Sequence, residues 1–237
     1  MKNFVFTSAG DNTTFYNRWC GDNQTFDLYI IYYGNNEDNF NLYKSKSIWI
    51  GKREGSKFQN FNYFYQTYPD IISKYDRFFI LDDDIQITCV DINKMFELSR
   101  KYNIAICQPS FSNDGKISHE ITRHVPNILL RYTNFIEVNT PLYSKDALKN
   151  LMNVYHPDLI GWGIDYLHIW ANGLDNTNIY AIIHSVTCVN PTTQQKGIRE
   201  LLKIKNVNDR QLTWNKYANT INCPSKFNTI YYSSVDL

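Results

Sequence analysis

Nothing in this 237-residue chain leans to one charge: 24 Lys and Arg stand against 23 Asp and Glu. Without an excess of either sign there is no broad field to hold a phosphate backbone or an anionic membrane, so nucleic acid is not an expected partner. Paired cysteines are lacking as well. Cys20, Cys89, Cys107, Cys188 and Cys223 stand singly, without the close spacing that zinc or disulfide-exchange sites need, which fits a reduced compartment. No apolar run approaches a membrane span, and the opening Met1-Lys2-Asn3-Phe4-Val5-Phe6 is far too short for a signal peptide. The expectation is a soluble, cytoplasmic protein. Repeats, low-complexity tracts and linkers are also missing, and the length suits one large α/β domain better than two small ones.

Aromatic residues are plentiful, at 16% with 18 Tyr. Tyr and Trp faces stack on sugar rings, but an aromatic-rich core has the same composition, so this abundance alone decides nothing. More telling are short apolar runs bounded by polar turns: Phe4-Val5-Phe6, Leu28 to Tyr33, Ile48-Trp49-Ile50, Phe78 to Leu81 and Ile104 to Cys107. Such runs predict strands buried on both faces, as in a mostly parallel sheet. Helices are predicted from Phe58 to Tyr68, stopped by Pro69, and from an Asp91 N-cap through Ser99. Strands alternating with helices imply a doubly wound, open sheet whose ligands bind at the carboxyl ends of strands.

Beyond Pro109 the pattern is less regular. Strands are expected at Asn134 to Val138 and Ile179 to Ile183, helices at Lys145 to Val154 and Ile164 to Asn172. After Pro191 come polar residues, a short helix near Ile198 to Lys205 and no strong periodicity, suggesting a covering tail or lid. The division expected within a single domain is residues 1–108 for the nucleotide, 109–190 for acceptor and catalysis, and 191–237 for the tail.

The most informative segment is Phe78-Phe79-Ile80-Leu81-Asp82-Asp83-Asp84, an apolar strand running into three consecutive carboxylates. Like charges so crowded repel one another, and their pKa values rise unless a cation neutralises them. A divalent metal, Mg²⁺ or Mn²⁺, bound by one or two of these oxygens together with substrate phosphates, is the simplest remedy, and a solvated acidic turn is the plain alternative. A haloacid-dehalogenase-like phosphotransferase also places Asp residues after a strand, normally near the N-terminus as D-x-D-x-T/V. Here Asp84 is followed by Ile85-Gln86 a third of the way along, which disfavours that reading.

A second constellation is Gly161-Trp162-Gly163-Ile164-Asp165, where glycines allow a tight turn and an Asp opens a helix. Asp165 is either an ordinary cap, its pKa lowered by the helix N-terminus, or a general base beside a sugar-binding Trp162. His184 closes the apolar run Tyr180 to Ile183, as a structural histidine or a second metal ligand returning to the carboxylates.

In this order these residues resemble the glycosyltransferase-A superfamily: Leu81 to Asp84 looks like its D-x-D motif and Gly161 to Asp165 like its later acidic motif. Gln108-Pro109, Ser118 to Arg123, Phe135 to Val138 and Pro141 to Ser144 further resemble an uncharacterised plant and bacterial family of presumed glycosyltransferases. A chlorovirus rhamnosyltransferase domain is similar in size and arrangement. The resemblance covers roughly Phe4 to Pro191.

What it implies is a Rossmann-like glycosyltransferase-A domain taking a nucleoside-diphosphate sugar, with uracil or thymine bases favoured, and a glycan acceptor. Base and ribose would lie near Thr7, Ser8, Ala9, Gly10 and Asp11; Asp82 or Asp83 would reach the ribose. Asp84, with Asp82, would hold the metal, and His184 would complete it. Lys57 and Lys196, with Arg199, would meet the diphosphate. His119, Arg123, Arg131, Glu137 and Trp162 are candidates to face the donor sugar or acceptor. Two other functions stay open: a non-catalytic nucleotide- or glycan-binding module, and a metal-dependent nucleotidyl- or phosphotransferase.

Overall fold

The structure, a computed structural model, describes residues 2–13, 15–192, 202 and 204–237. One nine-stranded sheet runs through it. Its strands are β1 (Asn3–Ala9), β2 (Phe26–Tyr32), β3 (Trp49–Lys52), β4 (Arg77–Ile80), β5 (Ile106–Phe111), β6 (Ile128–Thr133), β7 (Leu142–Ser144), β8 (Tyr180–Cys188) and β9 (Tyr231–Asp236). Their spatial order is β3-β2-β1-β4-β7-β5-β8-β6-β9. β7 and β6 run against the other strands, so the sheet is open and mostly parallel, as the apolar runs predict.

The central strands are apolar on both faces because helices cover both. Along β1, Phe4 and Phe6 point to one face and Val5 and Ala9 to the other, and all four are fully buried. The Phe4 face packs under α2 (Lys57–Thr67), α5 (Lys145–Val154) and α6 (Ile164–Asn172), through Phe61, Phe64, Leu148, Leu151 and Leu167. The Val5 face packs under α1 (Glu37–Lys46) and α4 (Cys89–Lys101), through Tyr43, Ile92, Met95 and Phe96.

Several expectations shift. Pro69 ends α2 but also opens a further turn, α3 (Pro69–Ile72). α4 is capped by Thr88, whose hydroxyl accepts from the Asp91 N–H, so Asp91 is inside the first turn and not the cap. β5 continues through Pro109; the ladder to β8 slips between Pro109 and Ser110, and such a bulge tolerates a residue without an N–H.

Residues 134–138 are not a strand. The strand precedes them as β6, and their backbone groups bond to side chains described below. Of the expected covering tail or lid, the described residues from 204 onward pack on the domain. α7 (Arg210–Thr220) buries Trp214 and Ala218 in the Phe4-face core, and β9 pairs with β6 at the sheet edge. The expected helix near Ile198 to Lys205 lies largely outside the described residues.

Candidate active site

The direction of strand succession reverses between β1 and β4: β2 and β3 lie to one side of β1, and β4 to the other. Such a point leaves a crevice at the carboxyl ends of the two strands. Gly10 and Asp11 follow β1, and Asp82 to Asp84 follow β4. The two ends are tied, because the Gly10 N–H donates to Asp83 Oδ2 at 2.9 Å and the Thr13 hydroxyl donates to the Asp83 carbonyl.

Thr7 and Ala9 are wholly enclosed within β1, and the Ser8 hydroxyl accepts from Asn60 Nδ2 at 3.0 Å. Their side chains therefore serve the strand, and the first residue beyond it that is not buried is Asp11. Asp11 is engaged as a brace. It accepts from the Tyr32 hydroxyl, from the Asn35 and Asn36 N–H groups at 3.0 and 3.3 Å, and from Asn39 Nδ2 at 3.4 Å. Burial acts to raise its pKa, but these donors outweigh it and hold the carboxylate below its ordinary value.

The crowded charge of the acidic triplet is relieved from within the protein. Lys57, the first residue of α2, extends a side chain only 9% exposed to Asp82 Oδ1 at 2.8 Å. The same ammonium donates to the carbonyls of Val138 at 2.7 Å, Asn139 at 2.9 Å and Ile80 at 3.3 Å. An ammonium has three protons, so these acceptors saturate it. Lys57 is thus an internal clamp and not an open diphosphate contact. With Asp82 paired and Asp83 hydrogen-bonded, repulsion within the triplet no longer demands a metal.

The clamped segment runs from Ile136 to Asn139, and side chains take up its backbone groups one after another. His168 Nε2 donates to the Ile136 carbonyl at 2.9 Å, so its Nδ1 accepts from the Tyr143 hydroxyl at 2.8 Å. Gln108 Oε1 accepts from the Glu137 N–H, and Asp165 Oδ1 from the Val138 N–H. The Asn139 carbonyl also accepts from the Asp82 N–H at 3.0 Å. This segment joins the end of β4 to the start of α6. Sequence reading missed His168, although it lies one turn beyond Asp165 on the same helix. Burial pushes it down to about 3, so it is a neutral hydrogen-bonding strut.

Asp165 is half-buried, retaining a solvent-facing edge while packed by protein elsewhere. That packing pushes its pKa up to about 7, against the Val138 N–H, its own N–H and Lys57, which favour the charged form. The expectation that the helix terminus would lower it is therefore reversed: desolvation outweighs the end-of-helix field. Glu137 is 3% exposed, and burial, then Asp165 and Asp82, push it up to about 8.

The turn before Asp165 requires its glycines. Gly161 and Gly163 have φ of 70° and 87°, and a Cβ on Gly163 would lie 2.1 Å from Trp214 Cδ2. Trp162 stands 43% exposed, with the Arg210 guanidinium 5.6 Å from its ring centroid. It thus offers a partly covered aromatic wall beside Asp165.

The remaining candidates are more scattered. His119 is half-buried against Phe135, ring centroids 4.6 Å apart, and burial, then Lys116 and Lys226, lower its pKa. Arg123 lies in a surface fork with Glu120, at 2.8 Å, which explains its place without a substrate. Arg131 packs on Tyr231, 4.8 Å to the centroid. His184 is buried, accepts the Val125 N–H at Nδ1 and lies 6.2 Å from the His124 ring. Burial, then Arg131 and His124, push it down to about 4. Lys196 and Arg199 lie outside the described residues.

Mg²⁺ and Mn²⁺ favour oxygen ligands and commonly take one or two carboxylates, with phosphates and water supplying the rest. Asp84, half-buried at the crevice, is a carboxylate of this kind. Among the described residues no three His, Cys, Asp or Glu side chains form a group able to hold a metal, and His184 is turned to the Val125 N–H and the His124 ring. The donor set suits a cation shared with a substrate's phosphates and does not suit a cage closed by protein alone. No helix among the described residues is long and apolar enough to cross a membrane.

Comparisons with known proteins follow the same lines. Residues 19–134 match a family described as a protein of unknown function, DUF707. No curated protein sequence matches the chain. Among solved structures, S. aureus TarS 1-349 in complex with UDP-GlcNAc is similar over 93% of this chain and 66% of its own, with TM-score 0.60 and 9% identity. A second S. aureus TarS structure, at TM-score 0.57 and 9% identity, is matched over 93% of this chain and only 40% of its own. GalNAc-T7 with UDP, GalNAc and Mn²⁺ is similar at TM-score 0.50 and 10% identity, over 94% of this chain and 54% of its own. The chain therefore spans less than two thirds of the length of these relatives. The fold is of the glycosyltransferase-A type.

Proposed function

We propose that this protein is a glycosyltransferase that moves a sugar from a nucleoside diphosphate, of the uracil or thymine type, to a hydroxyl of a glycan acceptor with inversion at the anomeric carbon. The observation that carries this reading is the convergence of two acidic stations on one backbone segment. Asp82, beside the strand-end crevice, is anchored to Asn139 directly and to Val138 and Asn139 through Lys57, and Asp165, at the head of α6, is anchored to Val138. The likeness to solved structures holding UDP or UDP-GlcNAc supports a nucleotide-sugar donor in this crevice.

In the proposed reaction the acceptor oxygen attacks the anomeric carbon from the face opposite the diphosphate. Its bond to that carbon forms as the carbon–phosphate-oxygen bond breaks, and the electron pair leaves with the diphosphate. Asp165 takes the acceptor's proton. The Val138 N–H fixes one carboxyl oxygen, and a pKa near 7 makes the group a competent base at neutral pH. Trp162 would bound the sugar on the open side. Asp83 orders the Gly10 turn, where the nucleotide's ribose would lie. A divalent cation at Asp84, when bound with the donor, supplies positive charge against the diphosphate.

The test is incubation with UDP- and dTDP-sugars and Mn²⁺ or Mg²⁺, assaying the released nucleoside diphosphate with and without candidate glycans. Nucleoside diphosphate release supports transfer. Nucleoside monophosphate or pyrophosphate would replace it with nucleotidyl transfer, and tight binding without turnover would make the chain a binding module. An NMR assignment of the product anomer decides inversion.

A further inference from the structure

Buried polar atoms in folded proteins nearly always have a partner, so one that lacks it marks a place prepared for something else. Glu137 carries such an atom. It is 3% exposed, its N–H is spent on Gln108 Oε1, and its Oε1 accepts from Asn139 Nδ2 at 2.7 Å. Oε2 is buried and meets no hydrogen-bond partner among the described residues.

The charges facing this carboxyl are Asp165 and Asp82, both negative, and Lys116; Lys116 and the nearby Ser118 hydroxyl favour its charged form but are outweighed by burial and the two acids. The other cation of the site, Lys57, is turned to Asp82 and to backbone carbonyls. A desolvated carboxyl between two other acids keeps its proton. Since Oε1 is already an acceptor, the proton belongs on Oε2. The group is therefore a hydrogen-bond donor beside the proposed base, held rigidly at its amide and at one oxygen.

We propose that Glu137 is a specificity-determining residue whose Oε2 hydroxyl donates a hydrogen bond to an oxygen of the donor's sugar ring. This rests on the transferase reading, and it adds what that reading does not contain, a group that tells the sugar from the bare nucleotide. A site built around a fixed polar atom rejects ligands that leave the atom unpaired. The nucleoside diphosphate alone leaves Oε2 unsatisfied, and a sugar with an oxygen at the right ring position satisfies it.

Two substitutions separate this role from others. Glu137→Gln keeps a carbonyl toward Asn139 and puts an N–H donor where the Oε2 hydroxyl stood. Glu137→Met fills a similar volume with no polar atom. Calorimetric affinities for UDP and for a panel of UDP- and dTDP-sugars, with Mn²⁺ and without acceptor, are measured on each, and thermal melting confirms folding. The expected result is that Glu137→Met weakens binding of the preferred nucleotide sugar by about tenfold and leaves UDP binding unchanged. Glu137→Gln stays within about threefold of the wild type for both.

Equal weakening of UDP and nucleotide sugar in Glu137→Met would overturn the inference, as would a Gln variant as impaired as the Met variant. Wild-type protein that binds neither UDP nor any nucleotide sugar would instead remove the transferase reading itself. Unaltered sugar selectivity in Glu137→Met, with a wild type that does bind, removes only the role of Glu137.

Discussion

Two acidic regions of this protein look opposite in sequence and trade places in space. Asp82, Asp83 and Asp84 are adjacent and promise mutual repulsion, whereas Glu137 and Asp165 are isolated among apolar neighbours and promise none. In the fold the adjacent acids are supplied with partners: an ammonium at 2.8 Å for Asp82 and a backbone N–H at 2.9 Å for Asp83. The isolated pair is drawn together across the Ile136 to Asn139 segment, and it is there that carboxyl groups hold protons to about 7 and 8. Desolvation, and the negative neighbours Asp165 and Asp82, decide this, and spacing along the chain does not.

The contrast is tested most severely at Asp165. Asp165→Asn is expected to lower transfer by roughly 10²–10⁴-fold with donor affinity nearly unchanged, read by turnover and calorimetry together. Near-normal turnover would return Asp165 to a structural cap. In the wild type the rate should rise with pH through about 7, because only the ionised carboxylate accepts the proton.

Lys57 is where one region supports the other. Lys57→Met strips Asp82 and three carbonyls of a shared donor, which should cost about 2–4 kcal/mol in urea unfolding. It also removes a positive charge that favours ionised Asp165, so the rising limb of the rate profile should move to higher pH. A destabilised variant with an unmoved limb would mean that the two acidic regions are not electrically coupled.

A gentler probe is the pH dependence of stability. Glu137 and Asp165 have folded pKa values raised above those of the unfolded chain, so the native state binds more protons between the two values. Unfolding free energy should therefore be highest below about pH 4 as far as these groups are concerned, and their contribution is lost as pH rises through about 7 to 8. Glu137→Gln should flatten that decline in denaturation curves taken from pH 5 to 8. The smallest effect is expected at Trp162. Exposed as it is, Trp162→Ala should change stability by less than about 1 kcal/mol, while its loss should raise KM for the substrates.

Much of the framework was legible because burial on two faces leaves continuous apolar runs. The helices Lys145–Val154 and Ile164–Asn172 are found where the sequence places them, since their apolar spacing and polar starts agree. α7 and β9 were not legible. α7 buries little besides Trp214 and Ala218, and β9 is an edge strand of largely exposed residues, so neither leaves a periodic signature. The candidate site was half legible. Residue type and order point to Asp82 to Asp84 and Asp165, but the role of Lys57 depends on carbonyls far along the chain. Similarly, residues 134–138 are apolar enough for a strand, yet Gln108, Asp165, His168 and Lys57 claim the backbone groups a ladder would use.

The three-residue β7 has a consequence for how the chain is made. It sits between β4 and β5, the strands on either side of α4, although it is translated after both. A growing chain can assemble β1 to β4 by itself, but the slot beside β4 stays empty until Leu142 to Ser144 leave the ribosome. Closing the sheet then requires a late, long-range insertion, with its loop-closure entropy, and not a zip between neighbours. The keystone strand also places Lys145 and α5 directly behind it, so this inserted strand carries with it the helix that covers the insertion.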